Sequence, residues 1–281
     1  MAGPQRGIAI PNFGEDPAEL IQLGVDAEAA GFDGFFLWDH IVFSNTGDGP
    51  PILDPWLLLA VIAARTSRIR LGTMITPVPR RRPWQLARQT ATLDVLSGGR
   101  VILGVGIGSP AYGDFGIFGE PAGDRERAER LDEGLDVLAG LWTGDQFSYR
   151  GRHFTVDPVR FRPVPRQRPR IPVWVGGVLP ARRPVARAAR WDGMVPIRFA
   201  DRRLVRPPAS DIAAVRDQVI AARGSVSGFD LVVWAEVAEQ PGEVAALARP
   251  YAEAGATWWI ETAKPEPGWL EQVSARVAAG P

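Results

Sequence analysis

Short apolar runs alternate with amphipathic segments along the whole chain, and this alternation restricts the possible folds more than any other feature. Eight of the apolar runs are predicted to be strands, at 7–10, 32–38, 69–76, 100–108, 171–177, 192–197, 230–237 and 256–262. A predicted helix follows each of them, at 17–30, 55–66, 83–96, 124–142, 181–190, 209–223, 242–254 and 268–279. Continuous apolar runs are typical of parallel strands that are buried on both faces. Eight such units predict an α/β fold, a single (β/α)8 TIM barrel domain over residues 1–281, and a doubly wound open sheet is the competing fold.

Local signals mark the ends of several predicted helices. Asp16-Pro17 and Asp54-Pro55 each place an N-cap carboxylate before a proline at the first helical position. Gly31 and the Ser97-Gly98-Gly99 sequence are predicted to end the first and third helices.

Residues 143–170 do not follow the alternation. Aromatic residues alternate around Arg150-Gly151, and a proline-rich stretch follows, which predicts a hairpin and then an extended connector. We expect this insertion to pack against the lower side of the barrel or to form a dimer contact, without a catalytic role.

The composition excludes several classes of function. Basic and acidic residues are equal in number, so no global field attracts nucleic acid or an anionic membrane. The chain has no cysteine, which excludes disulfides and thiolate chemistry, and Lys264 is its only lysine. No stretch approaches the ~18 uninterrupted apolar residues of a membrane span. A soluble, cytoplasmic protein is expected, and no metal site, because the two histidines, His40 and His153, fall on different predicted faces.

Asp39 and His40 stand directly after the second predicted strand. Active sites of TIM barrels lie at the carboxyl ends of the strands, so this pair is expected at the mouth of the barrel. Histidine titrates near neutral pH, and an aspartate can orient it or bind a ligand, which favours a catalytic or cofactor-facing pair. In the alternative, His40 is a packing residue and Asp39 is a cap.

Three further strand ends carry groups suited to a ligand. The third strand ends with Thr73 and Thr76, whose hydroxyls are expected to face the mouth. The fourth ends with glycines at alternate positions, which would let a flat ligand approach the backbone, or alternatively allow tight packing: Gly104, Gly106 and Gly108. The fifth ends with Gly176 and Gly177 before a helix, a possible phosphate site aided by Arg182 or Arg183, or alternatively a simple turn. The loop 107–123 could cover a planar ligand.

Several segments together resemble the luciferase-like superfamily of flavin- and deazaflavin-dependent oxidoreductases. The resemblance extends over about residues 7–197 and rests on "GFDGFFLWDH", "RIRLGTMITPVPRRRPWQLARQTATLDVLSGGRVILGVGIG", "RAERLDEGLDVLAGLW" and "PRIPVWVGG". It implies a barrel that holds an isoalloxazine or deazaflavin ring across its mouth. A bulged, often cis, peptide around Thr73, Met74 and Ile75 would back that ring, and Gly176 and Gly177 would bind the phosphate. Together with Thr76, Gly106 and Gly108 from the strand ends, these residues form the expected cofactor site.

The Asp39-His40 pair resembles that of superfamily members that use coenzyme F420, an 8-hydroxy-5-deazaflavin. The chain departs from the sugar-phosphate dehydrogenases of that branch at Ser109, where those enzymes carry a glutamate, and it lacks their substrate-binding lysines. A sugar phosphate is therefore not the expected substrate, and Asp114 and Glu120 are the remaining candidates for a general acid.

The sequence thus favours an oxidoreductase that transfers a hydride between reduced coenzyme F420 and a small organic substrate, with Asp39 and His40 as catalytic residues and a homodimer as the expected assembly. An FMN-dependent monooxygenase that activates oxygen is the alternative. A flavin-binding barrel without catalysis is the non-enzymatic alternative. The single lysine disfavours a phosphosugar isomerase or aldolase on the same fold.

Overall fold

The computed structural model describes residues 3–200, 203–237 and 241–281. Its strands are β1 (Gln5–Ile10), β2 (Gly34–Leu37), β3 (Arg70–Pro77), β4 (Val101–Gly106), β5 (Gln146–Arg150), β6 (Thr155–Arg160), β7 (Val173–Val178), β8 (Gly193–Ala200), β9 (Arg203–Val205), β10 (Asp230–Glu236) and β11 (Trp258–Thr262). Its α-helices are α1 (Pro17–Ala30), α2 (Pro55–Arg65), α3 (Pro83–Ser97), α4 (Asp124–Trp142), α5 (Arg182–Ala188), α6 (Ala209–Arg223), α7 (Val244–Ala254) and α8 (Trp269–Ala278).

Eight parallel strands close into a barrel in the order β1, β2, β3, β4, β7, β8, β10, β11. The ring closes where β11 pairs with β1 and where β8 pairs with β10, at Asp230 opposite Gly193 and Leu231 opposite Met194. The predicted (β/α)8 barrel is confirmed, and the open sheet is excluded. β9 is an addition that pairs antiparallel with the upper end of β8.

The predicted helix caps are present. Asp16 accepts a hydrogen bond from the backbone N–H of Ala18, and Asp54 accepts from the N–H groups of Trp56 and Leu57. Gly31 and Gly98 end α1 and α3 with φ angles of 101° and 76°, a left-handed conformation that glycine adopts without steric cost. None of the helices in the described part of the chain is long and apolar enough to cross a membrane.

Aromatic side chains fill the lower half of the barrel interior. Phe36, Trp174 and Trp258 pack with ring centroids 5.2–6.1 Å apart. A Cβ on Gly34 would lie 2.7 Å from the Phe36 ring, and one on Gly193 would lie 2.5 Å from Trp174, so these strand starts need glycine. The amino-terminal end of the barrel is therefore closed, and a ligand can enter only at the carboxyl end.

The insertion at 143–170 forms the predicted hairpin, from β5 and β6, followed by a connector. Glu133, in the middle of α4, accepts hydrogen bonds from the backbone N–H groups of Arg152, His153 and Phe154 in the turn. Asp94, near the end of α3, accepts from the N–H groups of Arg166 and Gln167 in the connector. The hairpin thus runs along the outside of α4, and the connector stays at the lower end of the barrel.

Candidate active site at the barrel mouth

His40 lies at the carboxyl end of the barrel, three residues beyond the end of β2. Its Nδ1 is 2.6 Å from Oδ2 of Asp114, which belongs to the loop after β4. A carboxylate only accepts hydrogen bonds, so Nδ1 carries the proton. Nε2 makes no hydrogen bond to any residue that the structure describes, and the side chain is 18% exposed. Nε2 is therefore the nitrogen that can meet a ligand.

Asp114 is the residue that orients His40. Burial by itself raises the pKa of the Asp114 carboxyl, but the hydrogen bond and charge of His40 and the N–H of Ile41 outweigh it, so that the pKa is lowered. The carboxylate also accepts from the N–H groups of Ile41 and Val42, at 2.7 and 3.2 Å. The sequence suggested Asp114 only as a possible general acid. Its position in the loop over the mouth was the only signal for the role that the structure gives it.

Asp39 has a different environment from the one expected. Its side chain is buried, with Oδ1 3.0 Å from Arg80 and 2.6 Å from Arg81, while Oδ2 accepts from Thr76 Oγ1 at 2.7 Å. Burial raises the pKa of Asp39, and the two guanidinium groups lower it further than burial raises it, so the carboxyl is ionised. Asp39 thus ties the end of β2 to the segment after β3 and does not orient His40. Sequence reasoning missed Arg80 and Arg81, although three consecutive arginines after a barrel strand were a usable signal.

The end of β3 has the irregular backbone that the resemblance implied. The Met74–Ile75 peptide is cis, and the register of β3 against β4 shifts between Thr73 and Thr76. This prediction is confirmed.

The expectation that the Thr73 and Thr76 hydroxyls face the mouth is wrong. Both side chains are fully buried, their Oγ1 atoms lie 2.7 Å apart across the bulge, and the Thr76 hydroxyl donates to Asp39. Met74 packs into the barrel core, and Ile75 alone of the four is half-buried at the mouth.

Two of the predicted site glycines border Ile75. A Cβ on Gly106 would lie 3.2 Å from Ile75 Cγ2, and a Cβ on Gly176 would collide with Ile75 Cδ1. Ile75 therefore lies between two stretches of bare backbone and forms with them a shallow apolar surface, which we call the Ile75 cradle (Ile75, Gly106 and Gly176). A planar ring suits such a surface because neither glycine adds a side chain to it.

The other two predicted glycines, Gly108 and Gly177, lie against other side chains of the protein and not against Ile75. Gly108 has a φ of 73°, and a Cβ there would lie 2.7 Å from Phe115. A Cβ on Gly177 would collide with Pro184 of α5. Gly177 therefore faces the helix layer and not the mouth, because successive residues of a strand point to opposite faces.

Arg127 of α4 fixes the loop that follows β4, and sequence reasoning missed it. Its buried guanidinium donates to the carbonyl oxygens of Ile107, Gly108 and Ala122. Ser109 accepts from the N–H of Ala111, so its hydroxyl caps a short turn inside the same loop. The loop that carries Asp114 is thus held at its start by interactions independent of His40.

Aromatic side chains surround His40. The rings of Phe43 and Tyr112 stack at 4.5 Å with an interplanar angle of 10°. Both contact His40 edge-on, with centroid distances of 4.9 and 5.5 Å. Phe13 and Trp38 complete this group, which we call the aromatic cluster (Phe13, Trp38, Phe43 and Tyr112).

We expect Asp114→Asn to lower turnover about tenfold or more, because the amide cannot hold the imidazolium form of His40 as the carboxylate does. In wild type, Asp114 stays ionised below its usual titration range, so its support of His40 is lost only as the pH falls through that lowered pKa. The variant has no carboxyl to titrate at this position. Its rate-against-pH profile should therefore differ from that of wild type, while cofactor affinity stays the same. An unchanged profile would show that Asp114 only holds its loop.

Comparisons with known proteins agree with this geometry. The sequence profile of the family described as luciferase-like monooxygenase matches residues 2–272. An F420-dependent glucose-6-phosphate dehydrogenase from Microbacterium testaceum is 36% identical over 167 residues, which cover 59% of this chain and 48% of that one. The chain thus spans about half the length of this relative.

Two solved structures share the fold over nearly the whole chain. A coenzyme F420-dependent tetrahydromethanopterin reductase from Methanopyrus kandleri superimposes with a TM-score of 0.76 at 18% identity and covers 99% of both chains. An F420-dependent secondary alcohol dehydrogenase has the same TM-score and identity and covers 100% of both chains.

Proposed function

The chain belongs to the luciferase-like monooxygenase family, and from this premise we propose that it is an oxidoreductase that transfers a hydride between the deazaflavin coenzyme F420 and a small organic substrate. The observation that carries the proposal is the arrangement at the mouth. A cradle for a flat ring lies on β3, β4 and β7, and the segment after the adjoining strand β2 carries a histidine whose Nε2 has no hydrogen-bond partner among the described residues. The names of the similar proteins, three of which are F420-dependent, support the choice of coenzyme.

The residues at the mouth fit a deazaflavin. Ile75 would lie under the ring, with the Gly106 and Gly176 backbones on either side. Gly108 and Gly177 would act by shaping the loop after β4 and the contact of β7 with α5. The exposed Arg182 and Arg183 at the start of α5 would supply positive charge for the phosphate. When bound, the coenzyme supplies a centre that accepts or donates a hydride.

His40 would move the proton that accompanies the hydride. With Nδ1–H held by Asp114, Nε2 can accept the hydroxyl proton of an alcohol, and the carboxylate stabilises the imidazolium that results. In the reverse direction the same nitrogen returns the proton to the oxygen that gains charge. Asp39, which the sequence predicted as catalytic, would act indirectly by holding the β2 and β3 ends in register.

The second candidate function is an FMN-dependent monooxygenase. The observation that favours it is the Ile75 cradle, which suits an isoalloxazine as well as a deazaflavin, together with the description of the family. The two functions differ in their need for oxygen.

Anaerobic turnover tests the proposal. The purified protein is incubated without oxygen with oxidised coenzyme F420 and a series of secondary alcohols, and loss of the oxidised coenzyme's fluorescence is followed. We expect reduction that depends on alcohol. No reduction with any alcohol, together with protein-dependent oxygen consumption above the spontaneous oxidation of reduced FMN, would favour the monooxygenase.

Adjacent glycines give a matched pair of variants. We expect Gly176→Ala to weaken coenzyme binding at least tenfold, about 1.4 kcal/mol, because the new methyl group displaces the end of Ile75 from the cradle. The melting temperature should change little, since the displaced atom is the flexible end of a side chain. Gly177→Ala adds the same methyl group toward Pro184 and should instead lower the melting temperature. Equal coenzyme affinity of Gly176→Ala and wild type would remove the cradle from the binding site.

We also propose that the protein is a homodimer whose two subunits contact each other through α2. The outward face of this helix is apolar, with Leu57 71% and Val61 44% exposed, and no charged residue occurs between Pro55 and Ala64. A face of this kind can pair with its own copy about a twofold axis. Sedimentation of wild type and Leu57→Glu tests the assembly, with a dimer and a monomer as the expected results.

A further inference from the structure

The mouth of the barrel is rich in exposed apolar side chains. Seven of the large hydrophobic residues that are exposed in the described part of the chain lie at the carboxyl ends of barrel strands or in the segments that follow them: Ile41, Tyr112, Ile117, Phe118, Val178, Phe199 and Leu204. Single exposed apolar residues are common on any surface, but a group around a concave site marks a place where something apolar binds.

The apolar character continues into the mouth. From the rim at Tyr112, ring contacts run through Phe43 and His40 to Trp38, and Trp38 meets Trp234 of β10 at a centroid distance of 6.3 Å. Trp234 lies across the barrel from the Ile75 cradle, since β10 and β3 are separated by three strands in each direction around the ring. The part of the mouth that the proposed ring site does not occupy is therefore lined by aromatic side chains.

Several positive charges at the mouth, among the residues that the structure describes, already have partners. Arg80 and Arg81 pair with Asp39, and Arg127 donates to backbone carbonyls. Farther around the rim, Arg198 pairs with Asp211 and Lys264 with Glu236. A phosphate-bearing substrate that used one of these groups would have to break its existing contacts, and the exposed Arg182 and Arg183 are the pair proposed for the coenzyme phosphate.

We propose that the substrate is an uncharged secondary alcohol, or the corresponding ketone, with an apolar ring body that packs on the aromatic cluster. Its oxygen reaches Nε2 of His40. In the oxidative direction the carbinol C–H leaves as a hydride with both electrons to the oxidised coenzyme, the O–H proton passes to Nε2, and the C–O bond becomes C=O. The alcohol or ketone group in this proposal rests on the proposed function, whereas the apolar ring body is inferred only from the side chains at the mouth.

Ligand binding is measured by calorimetry, on the protein alone and on protein loaded with oxidised coenzyme F420. The probes are 2-decalone, acetone and glucose 6-phosphate. Each methylene that leaves water adds about fourfold to affinity, so we expect 2-decalone to bind at least a hundredfold tighter than acetone and glucose 6-phosphate not to bind. Tyr112→Ser should weaken 2-decalone binding at least tenfold. Leu247→Ser, which removes an equally exposed apolar side chain on the outside of α7, is the matched control and should bind as wild type does.

Turnover of the loaded enzyme gives the second measurement. The ratio of kcat/KM for 2-decalol to that for propan-2-ol should be at least ten in wild type and should fall at least fivefold in Tyr112→Ser. Tight 2-decalone binding without coenzyme binding would leave the apolar site standing and overturn the proposed function. Turnover of propan-2-ol or glucose 6-phosphate without preferential 2-decalone binding would overturn the apolar substrate and leave the proposed function standing.

Discussion

We expect His40→Ala to lower turnover with coenzyme F420 a hundredfold or more. In the proposed reaction Nε2 of His40 carries the proton, and the methyl group of alanine cannot replace it. Coenzyme affinity should change little, because the cradle is built from β3, β4 and β7. Steady-state rates and a coenzyme titration on the same preparation give both quantities.

His153→Ala is the control for this variant. His153 is the other histidine, and it lies in the hairpin turn, 3.1 Å from Glu129 of α4. Its removal should leave turnover at the wild-type level. If His40→Ala folds, binds coenzyme and turns over normally, His40 is a packing residue and has no part in the reaction.

We expect Asp39→Ala to destabilise the protein by about 3–5 kcal/mol, which is typical when one partner of a buried ion pair is removed. Arg80 and Arg81 would then lose the carboxylate that both guanidinium groups contact, and the Thr76 hydroxyl would lose its acceptor. Urea unfolding measures the change. Asp16→Ala, which removes the N-cap of α1, is the comparison and should cost about 1 kcal/mol. If Asp39→Ala lowers the free energy of unfolding no more than Asp16→Ala does, the buried network around Asp39 adds little to stability.

The same carboxylate should make stability depend on pH in acid. The pKa of Asp39 in the folded protein is below its usual value, so its stabilisation is complete above the unfolded-state pKa of about 3.9. It is lost as the pH falls through the lower folded-state pKa. Urea midpoints of wild type should therefore fall more steeply below about pH 4 than those of Asp39→Asn, which cannot ionise at this position.

The fold was predictable because its signals are local. Each barrel strand contains a continuous apolar run, and the caps at Asp16, Asp54, Gly31 and Gly98 are set by residues within a few positions. The cis peptide at Met74–Ile75 was predictable in a different way, through resemblance, because nothing in the residues themselves requires it.

The contacts of the site were less predictable because they join distant parts of the chain. His40 and Asp114 are 74 residues apart, and Asp39 and Arg81 are 42 apart. A sequence places all four at one end of the barrel but cannot say which acidic group faces the histidine. Residues 73 and 76 would face opposite sides of a regular strand, but the register shift in β3 brings the Thr73 and Thr76 hydroxyls together in the buried interior.

The central claim is that the Ile75 cradle holds a deazaflavin. It is tested most directly by fluorescence titration of the purified protein with oxidised coenzyme F420 and with FMN, in wild type and Gly176→Ala. We predict that wild type binds coenzyme F420 at least tenfold tighter than FMN and that Gly176→Ala loses that affinity. Tighter binding of FMN, or binding of neither cofactor by folded wild-type protein, would contradict the claim.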